Sequence, residues 1–122
     1  MKYKVKEHTT KRLVRGEHLN HHGSLFAGIA AQWFVESGYI AAVEVLPAKN
    51  MVCVRIDTLS FKKPVRAGEV VSYTSRIDSV GKSSVKTYTK LTIGDEILVD
   101  GYSVFVHVDE NTRPTPHHLE LE

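Results

Sequence analysis

Residues 24–43 are apolar on nearly every side of a helix-length run, whereas from Val52 onward apolar and polar residues alternate. The first pattern predicts a buried helix over about 25–43, and the second predicts strands. Ser24 reads as the helix N-cap and Leu46-Pro47 as its stop, because proline disfavours helix in the residue before it. Ahead of the helix, Tyr3, Val5 and Val14 give a weaker period-two pattern over 2–14, broken at Arg15 and Gly16, and 18–24 reads as loop. After the helix, alternation predicts strands at 52–58, 70–80, 84–93 and 97–108. They are joined by a basic connector over 61–68, a tight turn at Gly81-Lys82 and a two-residue hairpin at Gly94-Asp95. Val85, Thr87, Thr89, Leu91 and Ile93 share one face of their strand, and Tyr102, Val104, Val106 and Val108 one side of the last. From Asp109 the chain is polar, carries Pro114 and Pro116, and reads as a loose tail over 109–122.

One helix among about five strands fits a single α+β domain across residues 1–122. Hairpin-length links make the sheet antiparallel. A helix that is apolar all round then needs the sheet to curl about it, or a partner to cover its other side.

Charge and cysteine content narrow the function classes. A formal net charge of only +2 predicts neither a nucleic-acid nor an anionic-membrane partner. The single cysteine, Cys53, excludes an internal disulfide and any cysteine-based zinc site, which points to a reducing compartment. Residues 1–15 carry charges throughout with no apolar leader, so a cytoplasmic location is expected. A membrane span over 25–43 fails at Gln32, Glu36 and Ser37, since a charge at its centre costs roughly 2.5–3.5 kcal/mol even on a lenient scale. Gly28, Gln32 and Glu36 recur every four residues and form one small or polar stripe on the helix. A carboxylate on such a helix calls for a reason.

Four segments in order resemble the hotdog-fold acyl-CoA thioesterases, in which an antiparallel sheet wraps one long central helix. Asn20-His21-His22-Gly23-Ser24-Leu25-Phe26-Ala27-Gly28 resembles that family's loop into the helix. Phe61-Lys62-Lys63-Pro64-Val65-Arg66-Ala67-Gly68-Glu69 is similar to its segment leading into the next strand. Val80-Gly81-Lys82-Ser83-Ser84 resembles its Val-Gly-Arg-Ser-Ser turn, and Phe105-Val106-His107-Val108-Asp109 its final strand. The resemblance implies hydrolysis of an acyl-CoA to free acid and coenzyme A, with no cofactor beyond the coenzyme A of the substrate. It also implies a homodimer with sheets joined edge to edge, often a tetramer or hexamer, and active sites at the dimer interface. The chain departs from the pattern at one position: the helix acid of the family falls on Val35, and Glu36 follows. One step along a helix turns a side chain by about 100°, so the two positions are not equivalent.

Thioester hydrolysis needs a polarised carbonyl, an activated water or carboxylate nucleophile, and a seat for the coenzyme A phosphates. The free amides near Ala27 and Gly28, in a positive-dipole region, are candidates for the oxyanion site, against a plain packing role for two small residues. Glu36 is the candidate base or nucleophile, against a carboxylate that escapes to solvent or pairs with a lysine or arginine. Asn20 either orients the water or carbonyl or caps its own loop. His22 is a candidate acid or water positioner, against an ordinary surface histidine. The spacing of His18, His21 and His22 matches no ligand motif, so no metal is expected. Ser24 lacks a Gly-x-Ser-x-Gly setting and is not read as a nucleophile. Lys62, Lys63, Arg66 and Lys82, with Ser83 and Ser84 in the turn, are the candidate coenzyme A site, as the resemblance suggests; otherwise the cations are a solvated face. Trp33, Phe34 and Tyr39 either bound an acyl tunnel or are core. Two other functions fit the same residues: a non-catalytic acyl-CoA or acyl-carrier binding module, favoured by Val35, and a hotdog dehydratase pairing His21 or His22 with Glu36.

Overall fold

The strongest period-two segments become the longest strands. In the computed structural model, which describes residues 2–122, the order is β1 (Lys2–Tyr3), β2 (His8–Leu13), α1 (Ala27–Val43), β3 (Met51–Phe61), β4 (Val70–Val80), β5 (Ser84–Ile93), β6 (Glu96–His107) and β7 (Glu120–Leu121). Short 3-10 turns fall at Gly16–His18 and Ala48–Asn50. Strands β2-β4-β5-β6-β3 form one antiparallel sheet that curls about α1, the hotdog arrangement expected. The Gly94-Asp95 hairpin turns in two residues because Gly94 takes φ +59°, which costs glycine nothing.

Helix α1 lies chiefly on β4 and β5. Val71, Tyr73, Ser75 and Ile77 face it from β4, and Val85, Thr87, Thr89 and Leu91 from β5, all buried. Close approach is set at Gly38, where an added Cβ would stand 2.7 Å from Thr87 Oγ1. The hydroxyls beneath are largely mutually satisfied: Ser37 Oγ lies 2.6 Å from Ser75 Oγ, which lies 2.6 Å from Thr89 Oγ1. Phe34 and Phe105 fill the remaining space, each essentially inaccessible.

The structure corrects three expectations. The helix begins at Ala27 with Phe26 as N-cap, so Ser24 does not cap it; its backbone and hydroxyl are spent on Asn20 instead. The first strand is two pieces, β1 and β2, with 4–7 between them outside any strand. On β6 Tyr102, Val104 and Val106 share one side as expected; that side faces outward and is half-buried, while Val99, Gly101, Ser103 and Phe105 face the helix. The bulk of α1 explains this, since Phe34 Cζ would stand 3.2 Å from a Cβ at Gly101.

The third correction concerns the tail, which is not loose. Thr115 N donates to His107 O and His117 N to Lys82 O, Leu119 is buried among Tyr3, Leu46, Met51, Val85 and Phe105, and β7 pairs in parallel with β1. His117 is buried with Nε2 2.9 Å from Ser84 O, while its Nδ1 accepts the Leu119 amide. With Nδ1 accepting, Nε2–H is the donor to Ser84 O.

Candidate active site

The start of α1 is shaped by its approach loop. Asn20 Oδ1 accepts the amides of His22 and Ser24, and Asn20 Nδ2 donates to Ser24 Oγ at 3.2 Å. This is the loop-capping role among the alternatives, and it leaves one amide proton of Asn20 unassigned. Phe26 N donates to His18 O, while Phe26 O accepts the amides of Ile29 and Ala30. Among the described residues no acceptor takes the amides of Ala27 and Gly28, the two donors that open a helix. The Phe26 ring folds over Gly28, its Cε2 only 2.6 Å from where a Cβ would sit.

A cleft of about 270 Å³ opens beside this helix end, lined by Asn20, Ser24, Ala27, Lys62, Lys63 and the apolar Leu25, Ala30, Phe61, Pro64, Val65 and Val99. Its floor is apolar and its rim is cationic. Both rim lysines are already engaged: Lys62 Nζ lies 3.5 Å from Asp100, and Lys63 is paired with Glu96. Arg66 is exposed nearby, its backbone bridged to Ser24. Lys82, Ser83 and Ser84 are elsewhere. They follow the far end of β4, eleven residues of strand and roughly 35 Å from the connector, so the expected coenzyme A set does not converge within one protomer. Ser83 O and Ser84 O accept the His107 amide and the His117 ring, which ties that turn to the tail.

Glu36 sits nine residues into α1, roughly 13 Å along the axis from Ala27. It is not buried. Its side chain is 46% exposed and accepts from Arg12 Nη2 at 2.6 Å, while Gln32 Nε2 stands 3.5 Å from its other oxygen. The salt-bridged carboxylate weighed from the sequence is therefore the observed state. Val35 points to the half-buried side and packs on the main core.

His22 is exposed and stacks on His21 at 3.9 Å between ring centroids. His18 instead meets Trp33 edge-on at 4.8 Å, so the three histidines do not converge. Among the described residues no group of three His, Cys, Asp or Glu side chains is placed to hold a metal, and no helix is long and apolar enough to cross a membrane. Trp33 and Phe34 are core; Tyr39 donates its hydroxyl to Ala48 O.

The sequence reading missed Arg12. From β2 it spans to Glu36 and lays its guanidinium 4.9 Å above the Trp33 ring. The run Lys11-Arg12-Leu13-Val14-Arg15 was the available signal, but only the fold brings that strand beside the helix stripe. Burial raises the Tyr73 phenol well above its ordinary range, with Arg12 opposing, and Tyr73 donates to Ala30 O.

The sequence profile of the thioesterase superfamily matches residues 22–99. An uncharacterised acyl-CoA thioester hydrolase from Buchnera aphidicola is 31% identical over 116 residues, covering 89% of this chain and 85% of its own. The hexameric thioesterase of Yersinia pestis superposes with a TM-score of 0.80 at 25% identity, over 88% of this chain and 91% of that one. A hexameric broad-specificity acyl-coenzyme A thioesterase superposes with a TM-score of 0.78 at 25% identity, over 88% and 83%.

Proposed function

Because the chain belongs to the thioesterase superfamily, we propose that this thioester hydrolase cleaves acyl-CoA to free acid and coenzyme A at a site shared between two copies. The observation that carries this reading is the pair of unclaimed amides at Ala27 and Gly28, beside a cleft with an apolar floor and a cationic rim. Those amides hold the oxygen of the thioester carbonyl as negative charge develops on it, which one donor of this kind favours by roughly 3–4 kcal/mol. Glu36, oriented by its salt bridge to Arg12, takes a proton from the attacking water or attacks the carbonyl itself. Asn20 contributes its remaining amide proton at the cleft, and Arg66 and Lys62 receive the coenzyme phosphates. We assign His22 no step.

Glu36 and the amides of one helix are too far apart to meet on one carbonyl, so the two halves come from different protomers. Strand β3 supports that assembly. Among the described residues it is a sheet edge paired only to β6, and it exposes Val54 at 57% and Ile56 at 44%, with Ile40 of α1 also uncovered. A β3-to-β3 dimer covers this surface, and three such dimers give the hexamer seen in the two structural relatives.

The test is a thiol-release screen over short, long and aromatic acyl-CoAs, run beside Glu36→Gln. Thiol release by the native chain, a loss of at least about a hundredfold in kcat for the variant and an unchanged oligomer are expected. No release above background with any acyl-CoA leaves the binding-module reading in its place.

A further inference from the structure

A second cleft, of about 330 Å³, lies between β2 and α1 and is lined by Lys11, Arg12, Leu13, Arg15, His18 and Trp33. We propose that it seats an ionised carboxylate at the far end of the acyl group, so that the preferred substrates are thioesters of short dicarboxylic acids. This inference rests on the assignment of Glu36 above.

The lining argues against an alkyl chain. Three of the six residues are permanent cations and a fourth is histidine. The Trp33 face, which would be the apolar wall, is occupied by the Arg12 guanidinium. Methylenes placed here displace water from cations and gain little apolar contact.

The charge balance argues for an anion. Arg12 is paired with Glu36 and Arg15 with Glu17, but Lys11 has no carboxylate partner among the described residues. Three permanent cations against two carboxylates leave one positive charge uncompensated. Arg12 can serve both anions, because one guanidinium carries five N–H donors and a single Nη2 contact is made to Glu36. It thereby screens Glu36 from a second carboxylate close by.

Position decides which end of the substrate is anionic. Trp33 precedes Glu36 by about one helical turn and Arg12 touches both, so the cleft lies beside the reacting carboxylate. The phosphates of an acyl-CoA are separated from its sulfur by the whole pantetheine arm. An anion held a single turn from Glu36 therefore belongs to the acyl side, a few bonds from the carbonyl.

The experiment compares kcat/KM for succinyl-CoA and butyryl-CoA, which have the same backbone length, in the full chain and in Lys11→Ala/Arg15→Ala. A preference of about tenfold for the charged thioester is expected, falling toward one in the variant. Charge reversal at the exposed Lys11 (Lys11→Glu) inverts the preference. Equal or faster cleavage of butyryl-CoA by the native chain overturns the assignment, as does a ratio unchanged in both variants. Pantetheine thioesters of the same acids form the third arm. If the variant loses rate on both CoA thioesters and on neither pantetheine thioester, the cleft holds a coenzyme phosphate, and the acyl assignment is wrong. Cleavage without charge preference removes this inference alone. Absence of cleavage of any thioester removes the activity reading, and this inference with it.

Discussion

The two sides of α1 are finished to different degrees. Toward β4, β5 and β6 the helix is sealed, with Phe34, Phe105, Tyr73 and Ile77 inaccessible and a row of hydroxyls bonded to one another. Toward the outer strands it is open, with Glu36 in solvent, Ile40 uncovered, and Phe61, Val54 and Ile56 exposed. The sealed side needs nothing from outside. The open side bears every group assigned to the chemistry, yet it separates them by more than a reaction can bridge. Stability and activity should therefore respond to different substitutions.

The largest effect is expected on the sealed side. Phe105→Ala removes a fully buried ring between α1 and the tail and should cost about 3–5 kcal/mol of stability. Chemical denaturation should show this as a lower midpoint with little change in slope. A cost near 1 kcal/mol would mean that this side repacks easily.

Next comes the helix start. Ala27→Pro deletes one of the two unclaimed amides while leaving the helix intact, because Ala27 is the first helical residue and Phe26 already has φ −64° and ψ 130°, as a residue before proline requires. A fall of about a hundredfold in kcat, with thermal stability within about 1 kcal/mol of native, separates an oxyanion donor from a packing position.

On the open edge, Ile56→Asp should prevent strand pairing without unfolding the protomer. Sedimentation should then report a lighter species with native circular dichroism and no thiol release. A full-sized assembly in that variant would move the dimer contact away from β3.

The smallest effect concerns the outer face of the sheet. Tyr88 is pushed up to about 12, by burial first and then by donating to Asp100 at 2.9 Å. A phenol raised above its unfolded value of 10.0 holds its proton longer in the native state. The stability it contributes is thus complete below pH 10 and is lost as pH rises toward 12. Tyr88→Phe should flatten that decline in pH-dependent melting, leaving the fall due to Tyr73.

The helix and the three long hairpin strands were legible because their periods are local. Thr87 and Thr89 were correctly grouped with Val85 and Leu91, although they form a hydroxyl layer in the core. What escaped depends on contacts between distant residues. Ser24 has the chemistry of an N-cap, but Asn20 claims it. The two prolines of the tail read as disorder, yet His117 and Leu119 pin that segment to the 81–84 turn and to β1. Arg12 lies 24 residues before Glu36, and no spacing rule links a strand arginine to a helix carboxylate. The same is true of the candidate phosphate set: Lys62 and Lys82 look alike in sequence, but a full strand separates them.

The shared site is tested most directly by mixing two impaired proteins. Glu36→Gln and Ala27→Pro damage opposite halves of the site, and dissociating and reassociating them together forms mixed dimers. If each site takes Glu36 from one copy and the helix amides from the other, thiol release should rise well above that of either parent, toward about a quarter of native for random pairing in a two-fold dimer. Activity that stays at the mean of the two parents, in a preparation shown to contain mixed dimers, would contradict the account and place both halves of the site within one protomer.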